Sequence, residues 1–169
     1  MARRANGLLP CLICLSAFGL AGCAGTSRAL GPIARLLPET TIEESLLREV
    51  NAARRQEGLA PLVLEDALIR IARAHTWDMA RMRRISHQGR DRMTVEGRAD
   101  RMEIDWLIIG ENVARNRGYD DPVAKAVADW LKSQNHRANI MNPEFVETGI
   151  GVVRGRDGYI YFTQVFMKP

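Results

Sequence analysis

All three cysteines of the chain lie within its first 23 residues, at Cys11, Cys14 and Cys23. The same stretch has a positively charged start followed by a mainly apolar run, which is typical of a secretory signal. The run is shorter than the about 20 residues that a membrane span needs. Once such a signal is removed, the remaining chain must form its core without any internal disulfide.

The last of these cysteines ends the tetrapeptide Leu-Ala-Gly-Cys at positions 20–23, which resembles a bacterial lipobox. In a lipobox the chain is cleaved before the cysteine, and the thiol then carries lipid. We therefore predict a lipoprotein signal at 1–22 and lipidation at Cys23. The expected location is the cell envelope, on the periplasmic side or at the outer membrane if the cell has two membranes. A redox or metal role for Cys11 and Cys14 has no folded context, because both leave with the signal.

The next stretch, to residue 37, contains glycine and proline without a clear period. We predict a flexible tether at 23–37 and one folded domain at 38–169. Loss of the two signal arginines reduces the formal charge of +4 to about +2, which gives little attraction for polyanions. The chain also shows no recognisable nucleic-acid-binding module, so we predict no nucleic-acid partner.

Periodic apolar residues predict four helices, at about 39–57, 66–84, 92–103 and 122–132. A capping box formed by Thr40 and Glu43, or by Thr41 and Glu44, is expected to start the first. Asp121 should cap the fourth, with proline in the favoured first position. Two strands follow at about 146–153 and 159–166, joined by the turn residues Arg-Asp-Gly. Helices followed by an antiparallel hairpin favour the α+β class.

Five short stretches then occur in a fixed order after "VNAARRQEGLAPL". They are "SH" at 86–87, "GEN" at 110–112, "NHR" at 135–137, "GIGVV" at 149–153 and "FTQVF" at 162–166. Together they resemble the CAP superfamily of cysteine-rich secretory, antigen 5 and plant pathogenesis-related 1 proteins, and in particular its bacterial SCP-like branch. The resemblance covers roughly 46–167. It implies an α-β-α sandwich with a small central antiparallel sheet and a shallow cleft.

Many members of this superfamily line the cleft with two histidines and two glutamates, and some bind a divalent cation there. The resemblance assigns His87 to the first histidine and Glu111 to the first glutamate. The sequence departs from the pattern at Ser133 and Tyr161, which replace the second glutamate and second histidine. His136, from a stretch common in bacterial members, is expected to enter the same cleft instead. The expected neighbours of the cleft are Asn112, Ser133, Arg137 and Tyr161.

The chemistry of these residues leaves two alternatives. Two histidines and a carboxylate can form a three-ligand zinc site with an open water position. They can equally form a structural hydrogen-bonded cluster, because the separations of 24 and 25 residues along His87, Glu111 and His136 match no local metal motif. Arg137 is expected to pair with Glu111 or Glu147, or to cap a helix end. A serine-nucleophile role for Ser133 lacks the G-x-S-x-G elbow.

Two further groups have a structural interpretation. His75 lies on the apolar stripe of the second helix and is expected to be a core or boundary histidine. The arginines between 81 and 101 alternate with carboxylates, which predicts a solvated mixed-charge face. Contact of that region with anionic lipid headgroups is the functional alternative, since a lipidated domain would lie beside a membrane.

Three functions fit the sequence. The first is a non-enzymatic, lipid-anchored envelope protein that binds a small apolar or envelope-derived ligand, such as a lipid or a cell-wall component, in the His/Glu-lined cleft. The second is a metal-dependent hydrolase in which His87, Glu111 and His136 hold zinc and Glu111 acts as a general base. The third is a protein interaction module without a small ligand.

Overall fold

The computed structural model describes residues 38–169. In chain order the elements are α1 Glu39–Gln56, β1 Val63–Leu64, α2 Asp66–Met82, α3 Val95–Arg101, β2 Ile108–Asn116, α4 Pro122–Lys132, α5 Gln134–Met141, β3 Glu147–Arg154 and β4 Ile160–Lys168. The predicted α+β class is confirmed. The predicted signal, Cys23 and the tether lie outside the described residues. Within 38–169, no helix combines the length and apolar character required to cross a membrane.

The sheet has the strand order β1-β3-β4-β2. β3 and β4 form the predicted antiparallel hairpin, and β2 pairs antiparallel with the other side of β4. At the turn, Gly155 N–H donates to Tyr159 O at 2.8 Å, and Gly158 adopts a φ of 79°. The two-residue β1 runs parallel to β3 and makes the sheet mixed. A strand of two residues is too short to leave a period in the sequence.

The helices cover both faces of this sheet, which gives the predicted α-β-α sandwich. Phe162 and Phe166 of β4 pack with α1, α4 and α5 on one face. Val165, on the same strand, points to the other face and packs with α2 and α3. This alternation is the period of two expected for a strand buried on both sides.

Two glycines of "GIGVV" allow α2 to lie directly on β3. A Cβ added at Gly149 would come within 2.0 Å of the Leu68 carbonyl carbon, and one at Gly151 within 2.5 Å of the Ala72 carbonyl carbon. Any larger side chain would therefore collide with the helix backbone. The glycines are required by the close approach, and they fix the height of α2 above the sheet.

Of the two predicted helix starts, that of α4 is confirmed and that of α1 is wrong. Asp121 accepts hydrogen bonds from the N–H groups of Val123 and Ala124 and caps α4 as predicted. The capping box predicted for α1 is wrong, because the helix begins earlier, after Pro38, without a side-chain cap. Glu43 instead pairs with Arg73 of α2.

The chain does not leave the helical layer at Ser133 but begins α5 at the next residue. A buried arginine, Arg54 of α1, holds the far end of this helix. Its guanidinium donates to the carbonyl oxygens of Ile140, Asn142 and Phe145 at 2.7–3.1 Å. The histidine of "NHR" is thus part of a short helix whose position is set by α1.

The close approach of α2 yields a stability prediction. Gly149→Ala should lower the free energy of unfolding by about 3 kcal/mol, since the methyl group overpacks against a backbone that cannot move independently. Gly97→Ala in α3 is the matched control, because its added Cβ would meet only Met93 at 3.6 Å. That change should raise the free energy of unfolding by up to about 1 kcal/mol. Urea denaturation of both variants checks the result, and equal effects would contradict it.

Candidate functional site

The carboxylate of Glu111 is the centre of a buried ionic cluster. Glu111 lies on β2, the edge strand of the sheet, and its side chain is 2% exposed. His87 Nδ1 lies 2.9 Å from Oε1, and Arg98 Nη2 donates to Oε2. His75 Nε2 lies 3.7 Å from Oε1. One buried carboxylate therefore faces one guanidinium and two imidazoles.

Arg98 of α3 connects this carboxylate to the loop before it. Besides Glu111, its guanidinium donates to Met93 O at 2.9 Å and to His87 O at 3.4 Å. The side chain is only 6% exposed. Charge-assisted hydrogen bonds of this kind are among the stronger ones in proteins. Arg98 thus fixes the loop that carries His87 as well as the carboxylate that His87 contacts.

His75 positions the same loop from α2. It is fully buried, and its Nε2 lies 2.7 Å from Ser86 O, so this nitrogen carries the proton and donates. Its Nδ1 has no hydrogen-bond partner among the described residues. Burial lowers the pKa of His75 despite the nearby carboxylate. A neutral His75 leaves Glu111 to interact with Arg98 and His87.

His87 has the opposite character. Its side chain is 58% exposed, although the carboxylate that it contacts is buried. The hydrogen bond to Glu111 raises the pKa of His87. The result is a solvent-facing imidazole that Glu111 holds through Nδ1 and whose protonated form is stabilised.

The other face of the β2 edge is tied to α5. Asn112 is buried, and its Nδ2 donates to His136 O at 3.0 Å. Asn139 Nδ2 lies 2.9 Å from Asn112 Oδ1 and 3.2 Å from Glu111 O. These amides satisfy polar groups that an uncovered edge strand would expose. They also hold α5 across the strand from His87.

His136 is half-buried on α5, and burial lowers its pKa. The charge of His87 lowers this pKa further, so the two imidazoles lie within electrostatic reach of each other. The structure thus places His87 in direct contact with Glu111 and His136 beside them, at one edge of the sheet. As the pH falls, His87 is therefore protonated before His136.

These residues do not fit a zinc site. Arg98 occupies Glu111 Oε2 and brings a fixed positive charge to the position where a divalent cation would bind. Among residues 38–169, no three His, Cys, Asp or Glu side chains are grouped so that they could hold a metal ion. The donor set lacks the arrangement that the zinc hypothesis requires.

The expected cleft neighbours are placed differently. Ser133 separates α4 from α5, and its carbonyl accepts from Arg137 N–H. Arg137 pairs with Glu57 at 2.9 Å, and not with Glu111 or Glu147 as expected. The assignment of Tyr161 to the cleft is wrong. On β4 it lies four residues before Val165, the register partner of Glu111, and its hydroxyl donates to Asp157 at 2.6 Å.

Two members of the cluster, Arg98 and His75, were not predicted to contact Glu111. Arg98 was assigned to a solvated mixed-charge face, but it is buried with Val95 and Ala99 on the inner side of α3. The spacing of these three residues was the available signal, because i, i+3 and i+4 share one helical face. His75 was correctly expected in the core, but its approach to Glu111 left no trace in the sequence.

Comparison with known proteins agrees with the fold and with the order of the motifs. The family described as CAP, the cysteine-rich secretory protein family, matches residues 47–166. Two uncharacterised proteins of Bacillus subtilis, the membrane protein YlbC and YkwD, are each 33% identical, over 77% and 75% of this chain. The chain covers only 35% and 47% of their own lengths.

A solved structure supports the same relationship. An extracellular SCP-domain protein of Bacillus anthracis superposes with a TM-score of 0.69 at 27% identity, over 82% of this chain and 44% of that one. The resemblance found in the sequence is confirmed by the family match, by the two relatives and by this structure. The chain belongs to the CAP, or cysteine-rich secretory protein, family.

Proposed function

We propose that the protein is a lipid-anchored component of the cell envelope that binds a small envelope-derived ligand beside His87 and His136 and catalyses no reaction. The ligand would carry a hydrogen-bond-accepting or anionic group next to its apolar part. Two features support this chemistry: the raised pKa of the exposed His87, which favours a charged donor, and the lowered pKa of His136, which favours a neutral imidazole. The family and its extracellular Bacillus anthracis member support a location outside the cytoplasm.

The observation that carries the proposal is the exposure of His87. A purely structural cluster would bury its charged groups together with their partners, as the cluster does for the carboxylate of Glu111 and the guanidinium of Arg98. His87 instead keeps 58% of its side chain exposed while Glu111 holds its Nδ1. The buried residues therefore orient one solvent-facing donor, which is the arrangement that a binding site needs.

The metal-dependent hydrolase is the less favoured alternative. A general base must have a free oxygen near the reacting water. Arg98 and His87 occupy one oxygen of Glu111 each. The same arginine opposes the positive charge of a metal ion. The third hypothesis, an interaction module without a small ligand, requires only that the edge of β2 contact another protein.

Titration of the imidazoles of His87 and His136 tests the electrostatics of the site. Since Glu111 raises the pKa of His87, Glu111→Gln should lower it. Because the charge of His87 lowers the pKa of His136, His87→Asn should raise that of His136. NMR pH titration of the imidazole signals measures both shifts. A His87 that titrates at or below the peptide value of about 6.5 would contradict the geometry.

The same pKa shift sets the sign of a pH effect on stability. A raised folded-state pKa stabilises the protein fully below the unfolded value, and the contribution disappears as the pH rises through the folded value. The stability advantage of wild type over His87→Asn should therefore shrink on going from below pH 6 to above the folded pKa.

Ligand binding can be examined without knowing the ligand. Native mass spectrometry of protein purified from a bacterial host should show a co-purifying small molecule in wild type. His87→Asn and His136→Asn should reduce its occupancy at least tenfold, which is the effect of losing one charge-assisted hydrogen bond. Gln88→Asn, a neighbouring exposed position, is the matched control and should retain it.

Zinc titration of wild type and His136→Ala should give the same weak affinity, and a stoichiometric zinc lost in the variant would favour the hydrolase.

The lipid anchor has its own test. Cys23→Ala should abolish acylation and release the protein from the membrane fraction. Intact mass and cell fractionation of wild type and variant measure this. A variant that keeps the wild-type mass, apart from the side-chain change, and the wild-type membrane association would refute the anchor.

A further inference from the structure

The outer face of α2 is basic and carries one large aromatic side chain. After Asp66 at its first residue, the exposed residues of α2 are Arg70, Arg73, Ala74, Trp77 and Arg81, the last four of which lie three, four, seven and eleven residues after Arg70. This spacing places them along one side of the helix over about 16 Å. The other side of the helix lies on the sheet. We call these five residues the outer face of α2.

The charge of this face is only partly balanced by carboxylates of the same helix. Asp66, at the first residue of α2, is exposed and lies four residues before Arg70 on the same side. Asp78 is half-buried and accepts from Arg90 N–H at 3.1 Å. Arg73 is paired with Glu43 of α1. Within residues 38–169, no hydrogen bond or ion pair engages the guanidinium groups of Arg70 and Arg81. Two free cations therefore flank the centre of the face.

That centre is Trp77, whose side chain is unusually exposed. Trp77 is 59% exposed, whereas Trp130 is 1% exposed and its indole N–H is bonded to Val113 O. An indole combines an apolar body with a polar N–H, and tryptophan is enriched where apolar and aqueous phases meet. An exposed tryptophan between arginines matches the composition of a surface that contacts lipid headgroups.

The first described residue, Pro38, lies on the same side of the domain as the outer face of α2. It lines a cleft of about 420 Å³ together with Glu39, Arg73 and Trp77. Pro38 is also where the predicted tether of residues 23–37 joins the domain. The predicted tether therefore joins the domain beside Arg73 and Trp77, on the side that bears the outer face of α2.

We propose that the outer face of α2 docks on the anionic headgroups of the bilayer to which the protein is tethered. The choice of occupant rests on the anchor in the proposed function. Arg70 and Arg81 would bind phosphate groups through their planar guanidinium forks. Trp77 would enter the headgroup layer between them. Glu39, which faces the cleft, and Glu43, which is neutralised by Arg73, are the acids contributed by α1.

Fluorescence quenching measures this docking directly. Protein matured from the full-length chain in a bacterial host is mixed with vesicles of brominated phosphatidylcholine, with or without 30% phosphatidylglycerol. The fluorescence of Trp77 is obtained by subtracting the signal of Trp77→Phe from that of wild type. This subtraction removes the contribution of the two other tryptophans. We expect quenching of Trp77 on the anionic vesicles at low salt, and its loss at high salt as the charges are screened.

Variants that remove charge test whether docking depends on the outer face of α2 or only on the net charge of the protein. Each arginine near an anionic surface contributes about a fivefold factor in binding. Arg70→Gln with Arg81→Gln should therefore weaken docking about 25-fold. Arg55→Gln with Lys132→Gln removes the same charge from exposed positions of α1 and α4, on the opposite face of the sheet, and is the matched control. Equal thermal midpoints establish that both pairs are folded.

The outcomes distinguish this proposal from the anchor. Intact mass reports whether Cys23 is acylated. Docking by protein that is not acylated would support the outer face of α2 and refute the anchor. Acylated protein without quenching of Trp77 would refute the docking face alone. Equal quenching on neutral and anionic vesicles, or equal weakening by both charge pairs, would also overturn the proposal.

Discussion

The contact between α2 and β3 is the constraint on which the rest of the structure depends. Gly149 and Gly151 let the helix backbone lie against the strand, and no side chain fits between them. With the helix at this height, His75 reaches both Ser86 O and the vicinity of Glu111. The same placement turns the opposite side of α2, with Trp77, fully outward. One packing contact thus has two consequences. The sheet-facing side of α2 contributes to the site, and its basic side faces solvent.

Burial of the Glu111 carboxylate has a desolvation cost that its partners must offset. A single buried charge is strongly destabilising, whereas one that is paired and hydrogen-bonded is tolerated. Arg98 supplies the fixed positive charge, and its Nη1 donates to the loop carbonyls of Met93 and His87. The carboxylate therefore does not depend on His87 for its neutralisation. His87 is free to remain exposed and to change protonation without leaving Glu111 as an isolated buried charge.

Several elements could be predicted from the sequence because their signals are local. The hairpin is encoded by alternating apolar residues around a glycine turn, and the start of α4 by Asp121 before a proline. The five-motif resemblance supplied the α-β-α architecture and singled out His87, Glu111 and His136. α5 was missed because eight residues with one buried side chain, Ile140, have almost no amphipathic pattern.

The errors in the site have a common physical cause, since they concern interactions between distant residues. Arg98 was placed in a solvated run because its charged neighbours hid the inward side of α3. Tyr161 was assigned by analogy of position, but the register of β4 carries it to the arginine- and aspartate-rich end of the sheet. Arg137 pairs with Glu57 because α5 packs beside the end of α1, and these two residues are 80 positions apart in the chain. Such partners are set by topology, and composition cannot reveal them.

The edge strand explains why the two imidazoles behave oppositely. Glu111 and Asn112 are adjacent on β2, so their side chains project to opposite faces of the sheet. Glu111 pairs with the buried Arg98 and holds His87, while Asn112 donates to the backbone carbonyl of His136. His87 has a carboxylate partner that raises its pKa, whereas His136 has burial and a neighbouring charge that lower its pKa. A ligand lying across this edge would meet two imidazoles that become charged in turn as the pH falls, His87 first and His136 second.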